Sequence, residues 1–322
     1  MYYRIRHLTR FRYSEPVTES IMEVRMHPRT EALQRCLDYQ LAVTPKANIH
    51  TYRDFLGNSI HHFDIPGAHS QLQIMAESLV EMKPWSPVPD SLPPSAWDDL
   101  NQAVAAGDFW EMLLPSQYCR TTDLLESAAA ELEATRRGDP LSLVVDLSSR
   151  IFRAFEYMPR STRVDSPIDE ALKQRRGVCQ DFAHILIALA RRLGIPSRYV
   201  SGYLHHRKQD HDRSDDGATH AWVECWLPEL GWTGIDPTNN LVAGERHIRT
   251  AIGRDYADVP PTRGVFKGGA GTQLTVAVDV NPCDGLPPEL AEMTLSEENS
   301  FPQDVIALEQ QPNDWEIQQQ QQ

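Results

Sequence analysis

A thiol, an imidazole and a carboxylate stand out along this chain. They are Cys179 in Arg175-Arg176-Gly177-Val178-Cys179-Gln180-Asp181-Phe182, His220 in Thr219-His220-Ala221-Trp222, and Asp236 in Gly234-Ile235-Asp236-Pro237. Together they suit acyl transfer. A nucleophilic thiol needs a base to hold its anion and later to protonate the leaving amine, and the base needs an acceptor that fixes its tautomer. Taken singly, each has a plainer reading. Free cysteine usually packs as a small hydrophobe, a strand histidine is usually structural, and Asp before Pro usually makes a turn. The weight lies in the three contexts together.

The elements that must position them follow from local pattern. Phe182 to Leu193 is apolar almost all round, which predicts a helix enclosed on every side. Cys179 then falls in its first turn, among unpaired N–H groups and the positive end of the dipole, where an anionic sulfur is favoured. Arg175 and Arg176 add positive charge, and Gly177 is expected to take the positive-φ conformation of a sharp entry. Asp181 and His184, polar intrusions on this helix, are expected to bond each other or neighbouring backbone. Gly194-Ile195-Pro196 stops the helix, and Arg198–Leu204 reads as a strand. Thr219–Trp226 alternates as a strand with His220, Trp222, Glu224 and Trp226 on one face and Cys225 packed on the other. Pro228–Gly231 turns the chain into a second strand, Trp232–Thr238, so a hairpin brings His220 near Asp236. The loop 205–217 carries His205, His206 and His211 among acids; a metal site is conceivable there, but a solvated loop is its commoner meaning.

Residues 1–82 alternate as short strands with turns between them, predicting a small antiparallel β-sandwich. A proline-rich linker follows over 83–97. Helices are expected over 95–106, 122–136 and 140–156, the last opening at Asp139-Pro140. With a further strand over 272–280, the catalytic region is bounded at 98–283. The tail 284–322 holds nine of the acidic residues and no Lys or Arg, ends in glutamines, and is disordered by composition. It carries much of the net charge of −14, so the remainder is only mildly acidic. A basic patch interleaved with aromatics is lacking, which argues against nucleic acid. No apolar run reaches membrane-spanning length and no apolar leader opens the chain. Five cysteines without paired spacing or a CxxC suggest a reducing cytoplasm rather than a disulfide framework or zinc ribbon.

Gly177-Val178-Cys179-Gln180-Asp181-Phe182-Ala183, followed by Gly194-Ile195-Pro196-Ser197-Arg198-Tyr199-Val200-Ser201-Gly202-Tyr203, resembles the transglutaminase core. His220-Ala221-Trp222-Val223-Glu224 and Gly231-Trp232 through Asp236-Pro237-Thr238-Asn239 resemble its other two blocks, in order and spacing. Ile5 to Val17 resembles the opening of the N-terminal β domain of bacterial transglutaminase-like proteins, and Glu245–Ile248 and Gly253–Pro261 resemble the segment after the core.

The resemblance implies an α+β fold. An N-terminal antiparallel β-sandwich-like domain would join a papain-like core, with a helix bearing the cysteine packed on an antiparallel sheet. Cys179 would be the nucleophile, His220 the general base and acid, and Asp236 the orienting carboxylate. The Cys179 N–H is expected to help hold the oxyanion, with Tyr157 as a side-chain candidate. No cofactor and no metal is implied. The substrate would be a peptide or protein amide, including a small peptide made by a ligating partner enzyme; the oligomeric state is left open. Hydrolysis and transamidation share the thioester. Hydrolysis is favoured here, because excluding water needs a dedicated tunnel, although Trp222 and Trp226 are candidate walls for one. A catalytically silent scaffold is a further alternative, against which all three positions are filled.

Overall fold

A computed structural model describes residues 1–285 apart from 32, 108, 208 and 284. The acidic tail read from 284 onward therefore falls almost wholly outside the described residues. In chain order the elements are β1 (Tyr2–Val17), β2 (Glu19–Val24), β3 (Gln34–Thr44), β4 (His50–Arg53), β5 (Ser59–Ile65), β6 (His69–Met82), α1 (Ala96–Ala105), α2 (Asp123–Glu131), α3 (Pro140–Ala154), β7 (Glu156–Tyr157), α4 (Ile168–Gln174), β8 (Arg176–Gly177), α5 (Cys179–Arg192), β9 (Ser197–Leu204), β10 (His220–Leu227), β11 (Gly231–Asp236), β12 (Leu241–Val242), β13 (His247–Gly253), β14 (Thr262–Lys267) and β15 (Thr272–Cys283).

The β-rich part is a pair of four-stranded antiparallel sheets, ordered β15-β1-β6-β3 and β14-β2-β5-β4. Alternating residues of both sheets meet in one core of Tyr13, Val17, Met22, Phe63, Leu72 and Ile74. This is the sandwich expected from the period-2 pattern, but the expected boundaries at 82 and 283 do not describe its strands. The last two strands return to it from the far end of the chain. β15 runs antiparallel along β1 from Tyr2↔Cys283 to Tyr13↔Thr272, and β14 pairs with β2. Without them β1 and β2 would each leave a row of backbone groups unpaired. Local pattern finds β15, expected over 272–280, but not β14, and it says nothing of partners so distant.

The second part is built on α5, whose residues from Gln180 to Arg191 are all buried. Phe182, Ile185, Leu186, Ile187 and Leu189 are fully enclosed, each contributing about 1.5–3 kcal/mol by burial. One side of α5 packs on the antiparallel sheet β12-β11-β10-β9-β13, and the other on α2, α3 and α4. α3 starts as expected: Asp139 Oδ1 accepts from Leu141 N and Ser142 N, with Pro140 in the first turn. α4, at seven residues, is too short to show helical periodicity in the sequence.

The two parts are sewn together along β13. This edge strand offers backbone groups that two buried amides of the sandwich complete. Gln34 Nε2 donates to Arg249 O (2.9 Å), and Arg249 N donates to Gln34 Oε1 (2.8 Å). Asn58 Nδ2 donates to Ile252 O, and Ile252 N donates to Asn58 Oδ1, both at 2.8 Å. Asn58 is presented by the Asp54–Asn58 turn, closed by Asp54 N donating to Asn58 O, with Gly57 at φ 77°.

Candidate active site

The thiol stands at the first position of α5, half-buried. Its entry differs from the sequence expectation. The positive φ falls on Arg175 (55°), the residue after α4, and Gly177 is not in that region. Gly177 is needed for space instead: a Cβ there would stand 2.7 Å from Asp181 Oδ2. That carboxylate closes the helix start, accepting from Val178 N (2.8 Å) and from Thr162 Oγ1 (2.6 Å). Asp181 does not bond His184. The His184 ring, also buried, accepts from Tyr256 N at Nε2 (3.2 Å) and lies parallel to Tyr118 at 5.4 Å.

The hairpin forms as expected, and β10 and β11 pair through Val223↔Ile235 and Glu224↔Gly234. That register sets Asp236 diagonally across from His220 on the same face. His220 Nε2 and Asp236 Oδ2 lie 2.8 Å apart, both fully enclosed. His220 Nδ1 is buried with no hydrogen bond among the described residues, leaving that nitrogen for the Cys179 sulfur. Burial alone would lower the imidazole pKa, but the Asp236 carboxylate and the nearby Cys179 sulfur overcome it and raise it to about 10. Burial likewise opposes the charge on Asp236, and the imidazole beside it more than compensates, holding the carboxyl far below its ordinary range.

Asp236 has more partners than the sequence suggested. Its Oδ2 also meets His247 Nε2 (3.2 Å) and accepts from Asn239 Nδ2 (2.9 Å). Its Oδ1 accepts from Thr238 N (2.9 Å) and Asn239 N (3.2 Å). His247 and Asn239 are the neighbours of Asp236 that reasoning from residue types missed. Asn239 directly follows Asp236-Pro237-Thr238, a turn sequence whose side chains fold back on their own backbone, and that was its one signal. His220, Asp236 and His247 are also the one group among the described residues close enough to share a metal ion, their ligand atoms lying within 4.8 Å. The loop histidines do not gather there. His205 Nδ1 bonds Val280 O, His206 pairs with Asp212, and His211 Nδ1 bonds Gln209 O.

Tyr157 lies on β7, whose pairing with β8 carries it beside the Cys179 entry. Its hydroxyl accepts from Asp215 N (3.3 Å), and burial, then the Cys179 sulfur, push its pKa up. It therefore keeps its proton to donate. Trp222 is fully buried, its ring roughly parallel to His220 at 6.0 Å. It lies across two glycines: a Cβ on Gly202 would stand 2.7 Å from its Cη2, and one on Gly234 3.5 Å from its Nε1. Trp226 packs on Phe109 at the other end of β10, 4.7 Å between centroids. Cys225 is buried against Ser197 Oγ, and burial pushes its thiol up to about 12.

Residues 128–237 match the sequence profile of the transglutaminase-like superfamily, and residues 3–81 that of the bacterial transglutaminase-like N-terminal region. An uncharacterized protein of Mycobacterium tuberculosis is 36% identical over 298 residues, covering 88% of this chain and 93% of the relative. One of Mycobacterium leprae is 33% identical over 278 residues, 86% of this chain and 97% of the relative. A protein-glutamine gamma-glutamyltransferase of Pseudomonas aeruginosa is 35% identical over 137 residues, 38% of this chain and 20% of that protein. Among solved structures, a Cytophaga hutchinsonii protein assigned as a candidate cysteine protease superposes with a TM-score of 0.68 at 24% identity, covering 89% of this chain and 93% of that one. That likeness shows the fold: a papain-like core with a β-rich N-terminal part. The matching of both parts, at these identities and over nearly the whole length of the mycobacterial relatives, makes this chain a member of the transglutaminase-like superfamily.

Proposed function

We propose that the chain is a cysteine-dependent acyl-transfer enzyme that hydrolyses amide bonds in peptide-like substrates. The observation that carries this reading is the enclosed His220–Asp236 pair with Nδ1 left unpartnered beside the thiol at the start of α5. Cys179 sulfur, as thiolate, attacks the amide carbonyl and forms a C–S bond, and the carbonyl oxygen takes the negative charge. The Cys179 N–H, at a helix position with no intrahelical acceptor, is placed to donate to that oxygen. Tyr157 is the side-chain candidate for a second donor. The His220 imidazolium gives its proton to the amine as the C–N bond breaks, leaving the thioester. Water then attacks, His220 takes its proton, and the C–S bond breaks to release a carboxylic acid. Asp236, fixed by four contacts from His247, Thr238 and Asn239, holds the tautomer in which Nε2 carries a proton toward it.

Water is the favoured acceptor because the indoles that were candidate walls of an amine tunnel are spent elsewhere. Trp222 is buried over the glycines of its neighbouring strands, and Trp226 lies against Phe109. Transamidation to an amine is the second reading, favoured by the similarity of the core to the Pseudomonas glutamyltransferase. The substrate in either case is a peptide or protein amide, a small peptide from a ligating enzyme included. Five free cysteines suit a reducing cytoplasm. Among the described residues no helix is long and apolar enough to cross a membrane. Mass spectrometry of products from a peptide-amide library, with and without added primary amines, tests the reading. Acid products formed by the native chain and not by Cys179→Ala support it. Amine adducts would replace hydrolysis with transamidation, and equal turnover by Cys179→Ala would sink both.

A further inference from the structure

Residues 243–246 carry the chain from β12, at one edge of the catalytic sheet, to β13 at the other, and they deliver a buried imidazole, His247, to Asp236. Both backbone groups of Gly244 grip that residue. The Gly244 carbonyl accepts from His247 N (3.0 Å), and Gly244 N donates to His247 Nδ1 (3.3 Å). A backbone N–H can only donate, so Nδ1 is an acceptor here, and a neutral imidazole then carries its proton on Nε2. That proton faces Asp236 Oδ2 at 3.2 Å. Burial holds the ring neutral against the pull of Asp236, with His220 and Arg246 opposing a further positive charge. The Trp222 ring of β10 stands roughly perpendicular to it, 5.1 Å between centroids.

One carboxylate oxygen, Oδ2, therefore receives three N–H groups: His220 Nε2 at 2.8 Å, Asn239 Nδ2 at 2.9 Å and His247 Nε2. Donors that share an oxygen draw on the same negative charge, so the other two weaken its hold on the His220 proton. We propose that His247 is a positioning residue, whose Nε2–H fixes Asp236 Oδ2 toward His220 and moderates the grip of that oxygen on the His220 proton. The consequence for turnover rests on the acyl-transfer mechanism proposed above, in which His220 must release a proton to the leaving amine and then take one from water. The same tautomer bears on the metal-like grouping of His220, Asp236 and His247. A shared ion would need the His247 Nε2 lone pair, and freeing it would set a proton on Nδ1 against Gly244 N–H.

The test is NMR on the full chain carrying Cys179→Ala and isotope-labelled at the histidine ring nitrogens, so that neither turnover nor the sulfur enters. The His247 signals are those lost in His247→Gln. Near neutral pH the ring is expected to be uncharged, with its proton on Nε2; a proton on Nδ1, or a charged ring, would overturn the proposal. His247→Leu removes the donor and should raise the pH at which His220 loses its proton by about one unit. His247→Gln, whose amide can reach the same oxygen, should leave that midpoint within about 0.3 unit of the parent. An unmoved or lowered midpoint in His247→Leu, or a Gln variant that behaves like the Leu one, would likewise overturn it. With Cys179 restored, His247→Leu should lower kcat about tenfold at unchanged KM, and His247→Gln should recover most of it. A chain that gives these titrations yet turns over no amide would sink acyl transfer and leave the placement of His247 standing.

Discussion

Replacing Asp236 by Asn tests the centre of the mechanism with little change of shape. The Asn oxygen can keep the bonds from Thr238 N and Asn239 N, so the turn after β11 is expected to survive. At the other position an NH₂ would replace Oδ2 and face His220 Nε2, His247 Nε2 and Asn239 Nδ2. His220 can satisfy that new donor only by becoming an acceptor at Nε2, which moves its proton to Nδ1, toward the sulfur. The carboxylate, more than the Cys179 sulfur, is also what lifts the imidazole to about 10 against its burial. The gap between that and the ordinary 6.5 corresponds to on the order of 5 kcal/mol favouring the imidazolium. Without the carboxylate, burial leaves the ring mostly neutral near about pH 7.5. Amide turnover should then fall on the order of a thousandfold. Alkylation of Cys179 by iodoacetamide, followed by intact mass across pH, reads the pair directly. The native chain should lose its His220-linked behaviour only as pH rises through about 10, and Asp236→Asn should shift that limb well downward. A folded Asp236→Asn chain with native turnover and an unshifted profile would refute the reasoning.

Gly177→Ala places a Cβ 2.7 Å from Asp181 Oδ2, so the Asp181 side chain must shift and its bonds to Val178 and Thr162 weaken; about 1–2 kcal/mol of stability should go, with slower Cys179 alkylation. An unchanged melting temperature and alkylation rate would count against the cramped entry. Glu224→Ala strips Arg198 and Arg249 of a fully buried partner and should cost about 3–5 kcal/mol in denaturant unfolding; a loss under about 1 kcal/mol would contradict that accounting. Burial depresses His7 and His184 to about 4, for His184 despite Asp255. The unfolded chain takes up these protons first, so their effect is absent above about 6.5 and stability falls as pH drops toward about 4, by up to about 3 kcal/mol for each ring. Thermal melts at stepped pH, with His7→Asn losing less than the native chain, check this; equal acid loss in the two would rule out His7 as a source.

What the sequence made legible was whatever is local. The enclosed helix after Cys179 and the hairpin carrying His220 and Asp236 each show in a dozen residues, because burial imprints its own period. The Asp139-Pro140 start of α3 is local in the same way. The cramped entry was misassigned because a residue type does not fix a dihedral: Arg175 takes the left-handed turn, while Gly177 is small for Asp181's sake. His247 escaped because its meeting with Asp236 depends on how β13 is laid into the sheet, which no spacing along the chain encodes. β14 and β15 were missed as parts of the sandwich for the same reason, their partners standing at the opposite end of the polymer.

The amides of Gln34 and Asn58 have a practical corollary for anyone dissecting this chain. A truncated product starting near residue 98 would keep the thiol, imidazole and carboxylate yet strip β13 of four backbone bonds and leave β14 and β15 with nothing to zip onto. The opposite fragment, residues 1–82, would surrender two of its eight strands. Each cut therefore leaves unpaired edges on both fragments, which makes the whole chain the unit to express.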